Sequence, residues 1–107
     1  MKHVTMADKS LLIGDEAADL LLSYAALVAQ IGGGDEVTVN AIGADGDEVS
    51  VGFLLNGGTV LLVESSNGSS LAEPDNRAVV EYMRKRLASY RAGGNEPSPF
   101  DTLETEA

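Results

Sequence analysis

The sequence contains no cysteine, no tryptophan and a single histidine, His3. Without cysteine the chain can form neither disulfides nor thiolate metal sites, and it has no thiol nucleophile. A Ser-His-Asp arrangement also lacks a positioned base, because the only histidine lies close to the first residue. We therefore expect a protein that is not an enzyme and that binds no cofactor. The lack of cysteine is also typical of cytoplasmic proteins, and the cytoplasm is the expected location.

Basic residues are scarce as well. The chain has 7 Lys and Arg against 17 Asp and Glu, which gives a net charge of −10. The bases are also unevenly placed, since Lys9 is the only one between Asp8 and Glu64. Phosphate contacts require clustered Lys and Arg, so this charge argues against binding to nucleic acid. It favours a protein partner with a basic surface.

No apolar run is long enough to cross a bilayer. The longest, from Leu20 to Ile31, is interrupted by Ser23 and Gln30. A transmembrane helix needs about 20 consecutive apolar residues, so no membrane association is expected. With 107 residues and 44% hydrophobic content, the chain is suited to one folded domain with one core.

Two segments have the apolar spacing of amphipathic helices, and three segments between them have the alternation of strands. Residues 15–31 carry a stripe at Leu20, Tyr24 and Leu27, and residues 74–91 carry one at Val80 and Met83. The predicted strands are Glu36 to Gly43, Glu48 to Leu55 and Thr59 to Glu64. The predicted fold is α+β: a three-stranded antiparallel meander with N- and C-terminal helices (α-β-β-β-α) packed on one face.

The predicted domain covers residues 15–91. Residues 1–14 form an N-terminal segment whose structure the pattern leaves open, since SLLIG (residues 10–14) suits either a short strand or a turn of helix. Residues 92–107 contain two prolines and four acids, which predicts a disordered acidic tail.

The turns set the expected strand register. A three-residue loop, Ala44-Asp45-Gly46, pairs Val39 with Val51 and places Gly46 at a left-handed position. In the second turn, Asn56-Gly57 is a strong hairpin signal, and a two-residue loop there pairs Phe53 with Val60. Under this register one face of the sheet contains Val37, Val39, Ala41, Val49, Val51, Phe53, Leu55, Val60 and Leu62.

The stretch IGADGDEV, residues 42–49, resembles the start of a calcium loop because its acids surround a glycine. An EF-hand loop that began at Asp45 would need oxygen ligands at its fifth and twelfth positions, which are Val49 and Asn56. The spacing therefore favours a hairpin turn, and no metal site is predicted. A metal-dependent binder or enzyme that uses the acidic turns is the less favoured alternative.

The second face of the predicted sheet carries more apolar surface than a solvated face needs. Its apolar residues are Ile42, Leu54, Leu61 and Val63. Either SLLIG or the tail covers this face, or it is an interface with a partner or with a second copy; the sequence leaves these alternatives open.

We expect a small acidic protein-interaction domain, an adaptor or a subunit of an assembly. Its candidate partner-binding residues are these four together with Asp45, Asp47 and Glu48. An inhibitor, antitoxin or anti-defence protein that mimics the charge of nucleic acid is the alternative.

Overall fold

A computed structural model describes residues 1–66 and 71–93, without the side chains of residues 92 and 93. The elements are β1 (Lys2–Met6), β2 (Lys9–Ile13), α1 (Asp15–Gln30), β3 (Gly34–Ile42), β4 (Glu48–Asn56), β5 (Leu61–Ser65) and α2 (Arg77–Gly93). The α+β class is confirmed. The predicted tail lies outside the described residues, except for residues 92 and 93, which end α2.

The sheet has five antiparallel strands in the order β4-β3-β2-β1-β5, so the predicted three-stranded meander is wrong. The two additional strands come from the N-terminal segment, whose structure the sequence left open. In that hairpin Val4 lies opposite Leu11, and both side chains are buried in the core. Val4 alternates with the polar residues His3 and Thr5, which is the period of two that a half-buried strand requires.

The predicted register of the β3–β4 hairpin is confirmed. Val37 pairs with Phe53 and Val39 with Val51. At the turn, the Gly43 N–H donates to the Asp47 carbonyl at 2.8 Å, and Gly46 has a φ of 90°. A glycine tolerates this conformation without steric cost, which is why the three-residue loop closes there.

The predicted pairing of β5 with β4 is wrong. β5 instead pairs with β1, with Val63 opposite Val4. The expected partner of Phe53, Val60, is 78% exposed, and Leu62 is 52% exposed. After Asn56 the chain turns away from β4, and the Thr59 hydroxyl donates to the Leu54 carbonyl at 2.9 Å. The turn signal was local, whereas the choice between β4 and β1 depends on residues far away in sequence.

One face of the sheet is covered by the helices. The largest fully buried side chains come from every layer and include Tyr24 and Leu21 of α1, Phe53 of β4 and Met83 of α2. The predicted apolar stripe of α2 is confirmed, because Val80, Met83 and Leu87 are all buried. The core is therefore a single cluster between the sheet and the two helices.

The start of α2 is held at a gap in the sheet. β2 and β3 pair at one position, Leu12 with Ile42. Beside that pair, the Asn76 side-chain amide bonds both the N–H and the carbonyl of Asn40, each at 2.8 Å. The Asn76 carbonyl in turn accepts the Val80 N–H at 2.8 Å. The Asn76 side chain thus supplies hydrogen-bond partners for the Asn40 backbone at the position where β2 no longer pairs with β3. The Asn76 carbonyl meanwhile accepts the first hydrogen bond of α2.

Ala7, in the turn between β1 and β2, is the only non-glycine residue with positive φ in the described part of the chain, at 57°. Since the left-handed region is unfavourable for a residue with a Cβ, Ala7→Gly should raise the free energy of unfolding by about 0.5–1 kcal/mol. Urea denaturation followed by circular dichroism measures the change. Ala44→Gly in the other turn is the control, and it should not stabilise, because glycine there only adds unfolded-state entropy. An Ala7→Gly protein no more stable than the original would contradict the strain at this turn.

Candidate functional site

An open cleft lies on the core face at one end of the sheet. Because Leu12 pairs antiparallel with Ile42, the turns of both hairpins, Ala7-Asp8 and residues 43–47, fall at the same end. The space between them, here called the tip cleft, has a volume of about 890 Å³. Its apolar lining consists of Val4, Met6, Leu11, Val49, Val51 and Phe53, and its charged lining consists of Asp8, Lys9 and Asp45.

The cleft is open because α1 covers only the other end of the sheet. Lys2, at the end of β1 far from its turn, bonds Asp19 of α1 at 2.8 Å. Exposure along β4 shows the limit of the helix: the exposed fraction is 0% for Leu55, 2% for Phe53 and 37% for Val49. The same apolar face that packs against α1 at one end is therefore uncovered at the other.

The rim of the cleft is acidic. Asp8 and Asp45 line it, and Asp47 and Glu48 follow Asp45 in the chain without lining the cleft. All four are exposed, and none of them forms an ion pair within the described residues. The nearest base in sequence is Lys9, which also lines the cleft. The acids at the start of α1 differ, because Glu16 pairs with Arg84 and Asp19 with Lys2. Two carboxylates without an ion pair, Asp8 and Asp45, thus border the apolar lining of the cleft.

The three predicted acidic site residues lie together. Asp45 lines the tip cleft, and its side chain accepts the Asp47 N–H at 3.1 Å. Glu48 follows directly as the first residue of β4. This hydrogen bond shapes a turn, as the sequence predicted, and the described residues contain no group of three or more metal-ligating side chains.

The four predicted apolar site residues do not share a face. Leu54 and Ile42 both lie on the outer face, where Leu54 is 63% exposed and Ile42 is buried opposite Leu12. Leu61 and Val63 pack against the core instead. β5 pairs with β1 and not with β4, so these two residues lie opposite Met6 and Val4 and share their face of the sheet. The expected second apolar face therefore contains Ile42 and Leu54 but not Leu61 and Val63.

Sequence reasoning missed the floor of the cleft. Met6 and Leu11 belong to the N-terminal segment, whose secondary structure the sequence does not decide. Val49 lies on the sheet face that is predicted to pack against the helices. One signal was available in the sequence: polar and apolar residues alternate from His3 to Met6, and after the turn residues Ala7 and Asp8 a second short segment ends in the apolar run Leu11 to Ile13. That pattern predicts a hairpin, but it does not predict where the helix stops covering it.

A polar cluster joins α1, β3 and α2. The Tyr24 hydroxyl, on a fully buried side chain, donates to Asp35, and the Tyr82 hydroxyl donates to the same carboxylate oxygen at 2.6 Å. Arg86 Nε donates to the Tyr24 hydroxyl at 2.6 Å. The two tyrosine rings pack edge to face with centroids 6.0 Å apart, and the Arg86 guanidinium lies 5.6 Å from the Tyr82 centroid. These four side chains form the Tyr–Asp–Arg cluster.

The pKa values of Asp35 and Tyr24 are shifted away from neutrality. Burial alone would raise the pKa of Asp35, but hydrogen bonds from Tyr24, Tyr82 and the Glu36 N–H, with the charge of Arg86, lower it overall. Burial, followed by the bond to Asp35, raises the pKa of Tyr24. A general acid or base works best with a pKa near the operating pH, so these shifts suit a structural clamp better than proton transfer. We therefore take the tip cleft as the candidate functional site.

No helix in the described ranges is long and apolar enough to cross a bilayer. Comparison of the chain with protein-family models, with curated proteins and with solved structures finds no match.

Proposed function

We propose that this protein is a small interaction domain that binds a basic, amphipathic segment of another protein in the tip cleft. The observation that carries the proposal is the apolar cleft of about 890 Å³ with an acidic rim. Apolar residues of the segment would be buried against Val49, Val51 and Met6. Its Lys and Arg side chains would extend to Asp8 and Asp45 on the rim.

The two parts of the cleft have different roles in this binding. Burial of apolar surface supplies most of the affinity, at roughly 25 cal/mol per Å². Unpaired carboxylates on the rim increase the association rate of a basic segment and disfavour acidic ones. The net charge of −10 acts in the same direction over a longer range.

The proposal is tested with a fluorescently labelled synthetic peptide that forms a helix with Leu on one face and Lys on the other. We expect saturable binding by fluorescence anisotropy, weakened several-fold between about 50 and 500 mM salt because the Debye length shortens. Asp8→Lys combined with Asp45→Lys should raise the Kd tenfold or more. The matched control is Glu36→Lys combined with Glu64→Lys, which changes the net charge equally at exposed positions that do not line the cleft.

Two results would contradict the proposal. Equal weakening by both double variants would mean that the peptide responds to net charge alone. Equal affinity for a peptide with Ser in place of Leu would mean that the apolar floor takes no part. If the peptide does not bind but a small apolar dye does, the cleft accepts small molecules instead.

The alternative of a nucleic-acid mimic has less support. A mimic requires carboxylates spread over a surface and free to contact a basic partner. In the first turns of α1, Glu16 and Asp19 are already paired with Arg84 and Lys2.

A further inference from the structure

The backbone of β4 has a free edge. β4 lies at the end of the sheet, and the hydrogen bond from Gly43 to Asp47 establishes which of its residues face β3. By alternation, the N–H and carbonyl groups of Val49, Val51 and Phe53 bond to β3. Those of Glu48, Ser50, Gly52 and Leu54 point outward.

The opposite edge of β3 supports this assignment. Asn40 pairs with Ser50, and its N–H and carbonyl point away from β4, since both bond to Asn76. Two residues that form a non-hydrogen-bonded pair direct their backbone groups away from each other. The Ser50 groups must therefore point to the free side of β4.

The free edge ends at Leu54. Thr59 donates its hydroxyl to the Leu54 carbonyl at 2.9 Å and accepts the Asn56 N–H at 3.0 Å. These bonds occupy the last outward-facing groups of the strand. The segment from Glu48 to Leu54 is left available to pair with another strand.

This edge carries few of the features that usually prevent strands from pairing between molecules. Edge strands are commonly protected by Lys, Pro or inward-pointing charges. β4 has none of these, and Glu48 is its only charged residue although the whole chain has a net charge of −10.

We propose that two copies of the chain pair antiparallel through β4, with Val51 of each copy at the two-fold axis. This register sets Ser50 opposite Gly52 of the second copy, so the outward N–H and carbonyl groups of both residues are satisfied. It also sets Val49 opposite Phe53 of the second copy on the core face. The two sheets then continue as one.

The occupant is a second copy because the strand is complementary to itself in this register. A two-fold axis perpendicular to the sheet leaves both core faces on the same side. The apolar floors of the two tip clefts then lie side by side. Val49, which is 37% exposed in the single chain, and the half-buried Val51 become more buried. The pairing covers part of the cleft floor, and it does not depend on the proposed function.

The acidic turns of the two copies do not oppose this pairing. Each acidic turn lies about four residues from the axis, and the two turns point in opposite directions. At about 3.4 Å per residue, Asp47 of one copy is roughly 27 Å from Asp47 of the other. That separation exceeds the Debye length of about 8 Å at physiological ionic strength, so the repulsion is largely screened.

Cross-linking tests the register, because the chain has no cysteine of its own. Residues at a non-hydrogen-bonded pair have Cα atoms about 4.5 Å apart, within the range that a disulfide spans. Val51→Cys should therefore oxidise to a covalent dimer, whereas exposed Val60→Cys should remain monomeric on a non-reducing gel. Preferential cross-linking of Ser50→Cys or Gly52→Cys instead would overturn the register.

Sedimentation equilibrium tests the pairing without cysteine. Gly52→Pro removes an outward N–H and should raise the dimer dissociation constant at least tenfold. Gly52→Ala is the matched control, because a Cβ there meets only Glu36 Oε2 at 3.6 Å, an ordinary contact. A monomeric unmodified protein, or a Gly52→Pro variant that dimerises as well as Gly52→Ala, would overturn the proposal. Dimerisation can fail while the Leu–Lys peptide still binds, so the two proposals are distinguishable.

Discussion

Asn76→Ala is expected to lower the free energy of unfolding by about 2–4 kcal/mol, which is large for a partly exposed residue. The Asn76 amide makes two hydrogen bonds of 2.8 Å, one to the N–H and one to the carbonyl of Asn40. Both backbone groups lie at the gap where β2 and β3 no longer pair. Alanine would leave them without partners in a part-buried place, which costs more than the bonds themselves contribute.

Asn76→Asp keeps one of the two hydrogen bonds and removes the other. A carboxylate can still accept the Asn40 N–H, but its second oxygen faces the Asn40 carbonyl and repels it. We therefore expect a loss that is similar to or larger than that of alanine, although Asp is as good as Asn at the start of a helix. If Asp instead preserved stability, the role of Asn76 would be to cap α2 and not to close the sheet.

Two measurements check this prediction. Urea denaturation gives the change in unfolding free energy, with Asn56→Ala as a control, because the Asn56 side chain bonds only within an exposed turn. Native-state hydrogen exchange reports on the Asn40 amide itself, which should lose protection in Asn76→Ala while amides of the β1–β2 hairpin keep theirs. A uniform loss of protection would point to global destabilisation instead of a local opening.

The second large effect is expected at the Tyr–Asp–Arg cluster. Asp35→Ala removes the acceptor of the Tyr24 and Tyr82 hydroxyls. Because Tyr24 is fully buried, its hydroxyl would then be a buried donor without its acceptor. We expect the free energy of unfolding to fall by about 2–4 kcal/mol. Tyr82→Phe should cost less, about 1 kcal/mol, because Tyr82 is partly exposed and its hydroxyl can bind water.

A double-mutant cycle of Asp35→Ala and Tyr24→Phe measures the interaction directly. The double variant should be less destabilised than the sum of the single variants, because removing the hydroxyl also removes the unsatisfied donor. Strict additivity of the two single losses would mean that the bond between these side chains contributes nothing to stability.

The same cluster should make stability depend on pH. The pKa of Asp35 is lower in the folded protein than in the unfolded chain, where it is about 3.9. The stabilisation by the ionised carboxylate is therefore complete above about pH 5, and it is lost as the pH falls through 3.9 towards the folded-state pKa. The difference in unfolding free energy between the unmodified protein and Asp35→Asn should accordingly shrink between pH 5 and pH 3. A constant difference across this range would contradict the lowered pKa of Asp35.

Local patterns in the sequence predicted what depends on neighbours along the chain. The α+β class and the two helices follow from apolar spacing. The β3–β4 register follows from parity and from a glycine that suits the loop, since Val39 can face Val51 only if Gly46 closes a three-residue turn. The acidic turn residues Asp45 and Asp47 were expected at the surface, and both are exposed; Asp45 also lines the cleft.

The prediction failed where distant segments compete for the same strand edge. Asn56-Gly57 does form a turn, but the predicted β4–β5 hairpin is wrong. β5 pairs with β1, where Val63 and Leu61 lie opposite the apolar residues Val4 and Met6. The Tyr–Asp–Arg cluster was invisible for a similar reason, since Asp35 and Tyr82 are separated by 47 residues. No spacing rule connects side chains that meet only after α2 packs on α1.

By itself, the sequence determined the charge of the protein, its lack of thiol chemistry, its helices and one hairpin, because composition and short-range periodicity act within a few residues. Tertiary structure alone decided the strand order, the face on which Leu61 and Val63 lie, and the end of the sheet that α1 leaves uncovered. These depend on which apolar surfaces bury each other most completely, and that is a property of the whole chain. The acidic turn and the apolar cleft become one site only when both hairpins point to the same end.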